Sequence, residues 1–314
     1  MPLFIPGIIA RRSEPSYESV SYGITNFVFD AMFSLDLEHD GISTAVSVEP
    51  VKHHSKVITR LQDLQSIDVT CEITISIHET EDIANLDQVI NNLCYLLSVA
   101  QGTKIQWIYR SFYEETNVCL SRVHASKVAK GYGPLSLLRS DRDIQTFVKG
   151  TYSIYARNCE RYRLDMGTID TYLDAKAEND YLQVRGIKLA VAMEVIKDVF
   201  TSLPDSPIEK FMLSKNKLKR RGFGDILDDI FKRIHLQLDE EDRKHFIDCR
   251  NSLIHQGRFY CETAEQGTQE QEYLVQEYFF LVNVLDKVFL KLLGYHEAYW
   301  DRRLPRQPVY KLDI

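Results

Sequence analysis

The chain has 314 residues, 44% of them apolar and 26% charged, so it can bury a sizeable core and is long enough for two domains. Its formal net charge of −7 excludes a protein that coats nucleic acid through bulk positive charge, and any contact with a polyanion must come from a local patch. Six scattered cysteines (Cys71, Cys94, Cys119, Cys159, Cys249, Cys261) without close pairs are expected to be free thiols, with neither a disulfide frame nor a zinc site.

The opening MPLFIPGIIARRSEP has its apolar stretch broken by Pro6 and followed by the arginines, the wrong order for a secretory signal. The first half then carries strand signals. In Ile67 to Ile77, Ile67, Val69, Cys71, Ile73, Ile75 and Ile77 alternate with polar residues, which predicts a strand with one buried face. Further strands are predicted over Thr25 to Leu37, Ser43 to Val48, Lys104 to Tyr113 and Thr116 to Val123. One helix interrupts them, from about Ile83 to Ala100, with its apolar residues at helical spacing and a stop at Gly102. The aromatic group Trp107, Tyr109, Phe112 and Tyr113 is read as core, with base stacking as the functional alternative.

Beyond GYGPLS the texture becomes helical. Ser140 is expected to N-cap a helix reaching about Arg161, and a short helix over Thr168 to Ala177 leads into a long one over Tyr181 to Ser202. The proline-bounded turn LPDSPIE closes it. Two long helical segments follow, about Gly224 to Ile254 with a break near Leu238 to Glu241, and Glu270 to Leu293. Asp239 to Asp242 read as an acidic helix start. Asp286 and Lys287 interrupt the apolar run of the last helix, so no segment approaches the roughly 18 uncharged residues of a membrane span, and a cytoplasmic protein is expected. The fold class expected is α+β: a mixed α/β-sheet domain over 1–138, followed by an all-α bundle over 139–314.

Three features carry possible chemistry. DCRNSLIHQGRF contains Arg250, Asn251 and His255, the one place where an arginine is followed five positions later by a histidine. Such a match arises by chance roughly 0.6 times in this composition, so context must decide. The plain alternative is an arginine held in a salt bridge beside a capping Asn and His. KFMLSKNKLKRRGFGD places Lys210, Lys215, Lys217, Lys219, Arg220 and Arg221 within twelve residues, either an RNA-guiding patch or a solvated inter-helix loop. His53-His54 has no ligand-type residue at metal spacing and is read as a surface pair, and His235 and His245 are assigned to helix surfaces.

Asn directly after the arginine, Gly257 as a C-cap behind the histidine, and the position near the end of a bundle helix together resemble the HEPN domain family. The likeness is to its arginine, polar residue, three intervening residues and histidine, and it is similar to the branch found in ApeA-type phage-defence proteins. A preceding helix of the type YLQVRGIKLAVAMEVI and a last apolar helix ending at Gly294-Tyr295 extend it, and LLSVAQGTKIQWIYRSF resembles the partner domain of the same proteins. The resemblance implies metal-independent RNA cleavage, in which a ribose 2'-OH attacks the adjacent phosphate and leaves a 2',3'-cyclic phosphate. His255 would move the proton, Arg250 would hold phosphate oxygens, and Asn251 would orient the imidazole or the 2'-OH. Lys215, Lys217, Lys219, Arg220 and Arg221 would bind substrate, with no cofactor and no metal. Five residues advance about 500° on an ideal helix, which leaves Arg250 and His255 about 140° apart. Either the helix ends between them or, as the resemblance implies, two subunits each contribute one motif; a homodimer is therefore expected, with the last helices contributing to a two-fold interface, RNA as partner, and a first domain that senses a phage-derived or cellular trigger or restrains the nuclease. A binding module that grips RNA or a protein without cutting, and a purely structural dimerisation protein, remain the alternatives.

Overall fold

The computed structural model describes residues 17–39, 41–77, 83–114, 117–123, 133, 135–138, 140–177, 180–205, 208–214, 217–259, 268–301 and 310–311. The protein is α+β. The first half holds β1 (Ser19–Thr25), β2 (Phe33–His39), β3 (Ile42–Pro50), α1 (His54–Leu64), β4 (Val69–Ser76), α2 (Ile83–Gln101), β5 (Gln106–Glu114) and β6 (Asn117–Val123). Its six strands form one antiparallel sheet in the order β2-β3-β4-β1-β5-β6.

The alternation read from the sequence holds over part of its span: in β4 Cys71, Ile73 and Ile75 are fully buried while Glu72 and Thr74 are half-buried, but Ile67 lies before the strand and is exposed, and Thr70 is buried. Thr25 to Leu37, by contrast, is not one strand. The chain turns at Asn26, which has a φ of 61°, so β1 ends at Thr25 and β2 begins only at Phe33. β1 escapes a period-two reading because it lies mid-sheet and is covered on both faces, with every residue from Val20 to Thr25 buried. Gly23 is needed there, since a Cβ would sit 2.1 Å from Cε1 of Tyr109. The aromatics of β5 divide: Trp107 and Phe112 are core, whereas Tyr109 and Tyr113 are half-buried and Tyr109 donates to Glu72 at 2.6 Å. The helix α1, absent from the sequence reading, begins at His54 and buries Leu61.

The second half holds α3 (Asp141–Asn158), a π-helical turn (Leu164–Ile169), α4 (Asp170–Lys176), α5 (Leu182–Phe200), β7 (Phe211–Ser214), β8 (Lys217–Arg220), α6 (Phe223–Arg233), α7 (Glu240–Gln256), α8 (Thr268–Leu292), β9 (Ala298–Tyr299) and β10 (Tyr310–Lys311). Ser140 caps α3 as expected, its hydroxyl accepting from the Asp143 amide at 3.2 Å. The half is not all-α: β7 and β8 form a hairpin and β9 pairs with β10. Strands of four residues are too short to show a period, and the charge of the basic run hides the alternation around Leu218.

Buried residues of the two halves make one contiguous cluster. α2 packs on α3, where the Tyr152 hydroxyl donates to the Val89 carbonyl at 3.4 Å, and Lys104 of the first half pairs with Asp170 of α4. α5 lies at the centre of the helical half, against α4, α7 and α8. Gly186 lets α7 approach: a Cβ there would meet the Phe259 ring at 2.6 Å and Leu253 at 3.1 Å. Among the described residues, no helix is long and apolar enough to cross a membrane.

Candidate functional site

The arginine, asparagine and histidine of the motif all stand on α7. Its start is strongly specified, for the Asp239 carboxylate accepts from the Asp242 amide at 2.7 Å and Glu240, Glu241 and Asp242 occupy the first turn, where the helix dipole favours negative charge. Its end is set by Gly257, in the left-handed region with a φ of 71°, whose amide donates to the Leu253 carbonyl at 3.1 Å. The helix therefore runs unbroken through Gln256, past both Arg250 and His255, and the possibility that it ends between them is removed.

Arg250 points inward. Its side chain is about one-tenth exposed, its Nη2 pairs with Glu194 of α5, and its guanidinium lies 4.3 Å over the ring of Phe223 at the start of α6. Nη1 donates to Asn251 Oδ1 at 2.7 Å, while Nε is buried with no partner among the described residues. Glu194 also pairs with Lys197. A guanidinium held by a carboxylate, an amide oxygen and an aromatic face is rigidly oriented, and its charge is largely neutralised. His255 is exposed, on the last turn of α7. The Arg250–Asn251 pair and His255 thus share one end of one helix, and within a single chain they do not face each other.

Sequence reading missed Glu194 and Phe223. The stretch AMEVIK showed Glu194 as an isolated acid in an apolar helix, and nothing in the sequence indicates that a helix 56 positions later turns Arg250 toward it.

The basic residues are spread over the hairpin and its exit. Lys219 and Arg220 are exposed on β8, Lys217 opens that strand, and Lys215 lies outside the described residues. Arg221 is engaged elsewhere: it pairs with Asp229 at 2.7 Å and donates to the Asp225 carbonyl at 2.8 Å and the Glu209 carbonyl at 3.3 Å. Lys210 pairs with Asp198 at 3.1 Å. Two of the six basic side chains thus serve local structure. Exposed Phe211, Met212, Leu213 and Leu218 accompany the rest.

Cys71, Cys94, Cys159 and Cys249 are free thiols, as expected, among the described residues. Burial pushes the Cys94 thiol up to about 12 and Cys71 well above its usual value, so neither is a nucleophile. No family model, curated protein or solved structure matches the chain.

Proposed function

We propose that the helical half is a HEPN-type module that cleaves RNA without a metal, through 2'-OH attack on the adjacent phosphate, with a site completed by a second copy of the chain. The observation that carries the reading is the motif's placement: Arg250, Asn251 and His255 lie on the last two turns of one capped helix, with the Arg–Asn pair made and the histidine exposed. Arg250 would stabilise charge building on the phosphate, His255 would transfer the proton, and Asn251 fixes the arginine fork. Because α7 is unbroken, the roughly 140° between Arg250 and His255 persists, and a histidine from the partner must meet the arginine of each protomer. Exposed Tyr181 at the N-cap of α5, with Val184 and Val191 on that helix, which also bears Glu194, offers an apolar strip for that contact. Lys219 and Arg220 would attract the RNA backbone.

The Arg250–Glu194 pair favours a second reading, in which the arginine braces α5 against α7 and the module grips RNA without cutting it. The test is cleavage of mixed cellular RNA in excess EDTA by the wild type, His255→Ala and Arg250→Ala, each checked for folding. Cutting that leaves cyclic-phosphate ends and is lost in both variants supports the nuclease. RNA binding without cutting, unchanged in His255→Ala, overturns it in favour of the binding module.

A further inference from the structure

One turn before Arg250, α7 presents a different cluster. His245 and Cys249, four residues apart, lie on the same face of the helix, and Glu277 of α8 reaches between them. The imidazole Nε2 is 2.9 Å from Glu277 Oε2 and 3.0 Å from Oε1, the Cys249 thiol donates to Oε2 at 2.7 Å, and Sγ lies 3.8 Å from the same Nε2. Cys249 is fully buried and Glu277 is 6% exposed, while the His245 side chain is about one-third exposed. The ring of Phe280 backs the imidazole, with centroids 4.8 Å apart.

These atoms converge on a point; they do not form a chain. A nucleophile relay needs the two imidazole nitrogens to serve different partners, the thiol on one and the carboxylate on the other. Here Nε2 faces both, and the thiol is sealed from solvent, so a hydrolytic triad does not fit. Convergence of a thiol, an imidazole and a carboxylate from two helices is what a metal ion requires.

We propose that His245, Cys249 and Glu277 bind one divalent transition-metal ion, zinc being the best match, and that this ion clamps α7 to α8 beside the residues of the motif. The donor types are right: thiolate and imidazole select zinc over magnesium or calcium. The spacing is close. Tetrahedral bonds of about 2.0–2.3 Å set ligand atoms roughly 3.3–3.8 Å apart, so only the Glu277 carboxylate must withdraw, by about half an ångström from the imidazole and close to one ångström from the thiol. The charge also balances. A divalent ion held by a neutral imidazole, a thiolate and a carboxylate gives a site of zero net charge, and binding it requires the Cys249 thiol to release its proton. Three protein ligands would leave a fourth position for water.

The inference does not rest on the RNA reading, and its test does not use RNA. The full chain, stripped with a chelator under reducing conditions, is titrated with Co²⁺ and followed by absorption. One equivalent is expected to produce a thiolate-to-cobalt charge-transfer band that Zn²⁺ displaces. The band should vanish in Cys249→Ser, persist in Cys159→Ser, and need at least about tenfold more Co²⁺ in Glu277→Gln. Should Cys249→Ser fail to fold, His245→Gln at the solvent edge replaces it with the same expected weakening. No band from the wild type, a band that survives Cys249→Ser, or a His245→Gln protein that binds Co²⁺ as tightly as the wild type overturns the proposal.

Discussion

At Arg250 two anions compete for one guanidinium: Glu194, which holds it in the folded chain, and the phosphate that the nuclease reading assigns to it. The two cannot both take the fork in full, because the amide of Asn251 and the face of Phe223 already occupy part of it. Glu194→Gln is therefore expected to strengthen binding of a labelled RNA by about tenfold, roughly 1.4 kcal/mol, at fixed salt. Fluorescence anisotropy reads this directly. An unchanged affinity would take Arg250 out of the RNA contact and leave it the bracing role. His255, being exposed, is expected to change cleavage in His255→Ala while leaving the unfolding midpoint where it is.

Between elements, the strongest polar specification is the contact of α4 with α8. Lys176 and Asp286 are both fully buried and pair at 3.0 Å, the Tyr172 hydroxyl donates to the same Asp286 oxygen, and the lysine donates to Tyr172 at 2.8 Å. Such a pair adds little net stability over an apolar replacement, yet removing one partner strands a charge in the core. Lys176→Met is expected to cost about 3–5 kcal/mol in urea unfolding, whereas the triple change Lys176→Met, Tyr172→Phe, Asp286→Leu should recover most of that. If the triple variant is no more stable than the single one, packing rather than the stranded charge governs this contact. Arg185 supports the same joint, donating to the carbonyls of Ala175 and Lys176 at the end of α4 and to the Tyr278 hydroxyl at 2.6 Å. In the sequence Asp286 could be seen only as a charge in an apolar helix. Its partner lies 110 residues earlier, which no local pattern reveals.

For the whole molecule, the proposed site requires two copies, and the exposed strip at α5 is the contact proposed for them. Its inner side carries Leu189, Ala192, Met193 and Ile196 in the core, while Val184, Val191 and the N-cap residue Tyr181 remain exposed. Val191→Asp places a charge on that strip without touching the inner side. On the proposed dimer it is expected to shift sedimentation from dimer to monomer and to abolish RNA cleavage while the unfolding free energy of the monomer changes by under about 0.5 kcal/mol, as for a surface site. A dimer that survives the substitution would move the two-fold contact away from α5. The continuous core also bears on how a proposed trigger would act, because the sheet and the helical half share one buried cluster, with α2 packed on α3 and Lys104 paired with Asp170 of α4.

The sequence by itself determined what local physics determines. Period-two alternation marked β4, helical spacing marked α2, α5 and α8, and capping chemistry placed the starts of α3 and α7 and the end of α7 at Gly257, because each of these signals lies within a few residues. It also singled out Arg250, Asn251 and His255 as a motif. Tertiary structure decided the rest. β1 is hidden from pattern reading by burial on both faces, and the β7–β8 hairpin by its brevity and charge. The direction of Arg250 toward Glu194, and the convergence of His245 and Cys249 on Glu277, depend on how α7 is rotated against α5 and α8. That rotation is set by side chains far apart in the chain, Gly186 against Phe259 among them, and packing of this kind leaves no trace in any window of sequence.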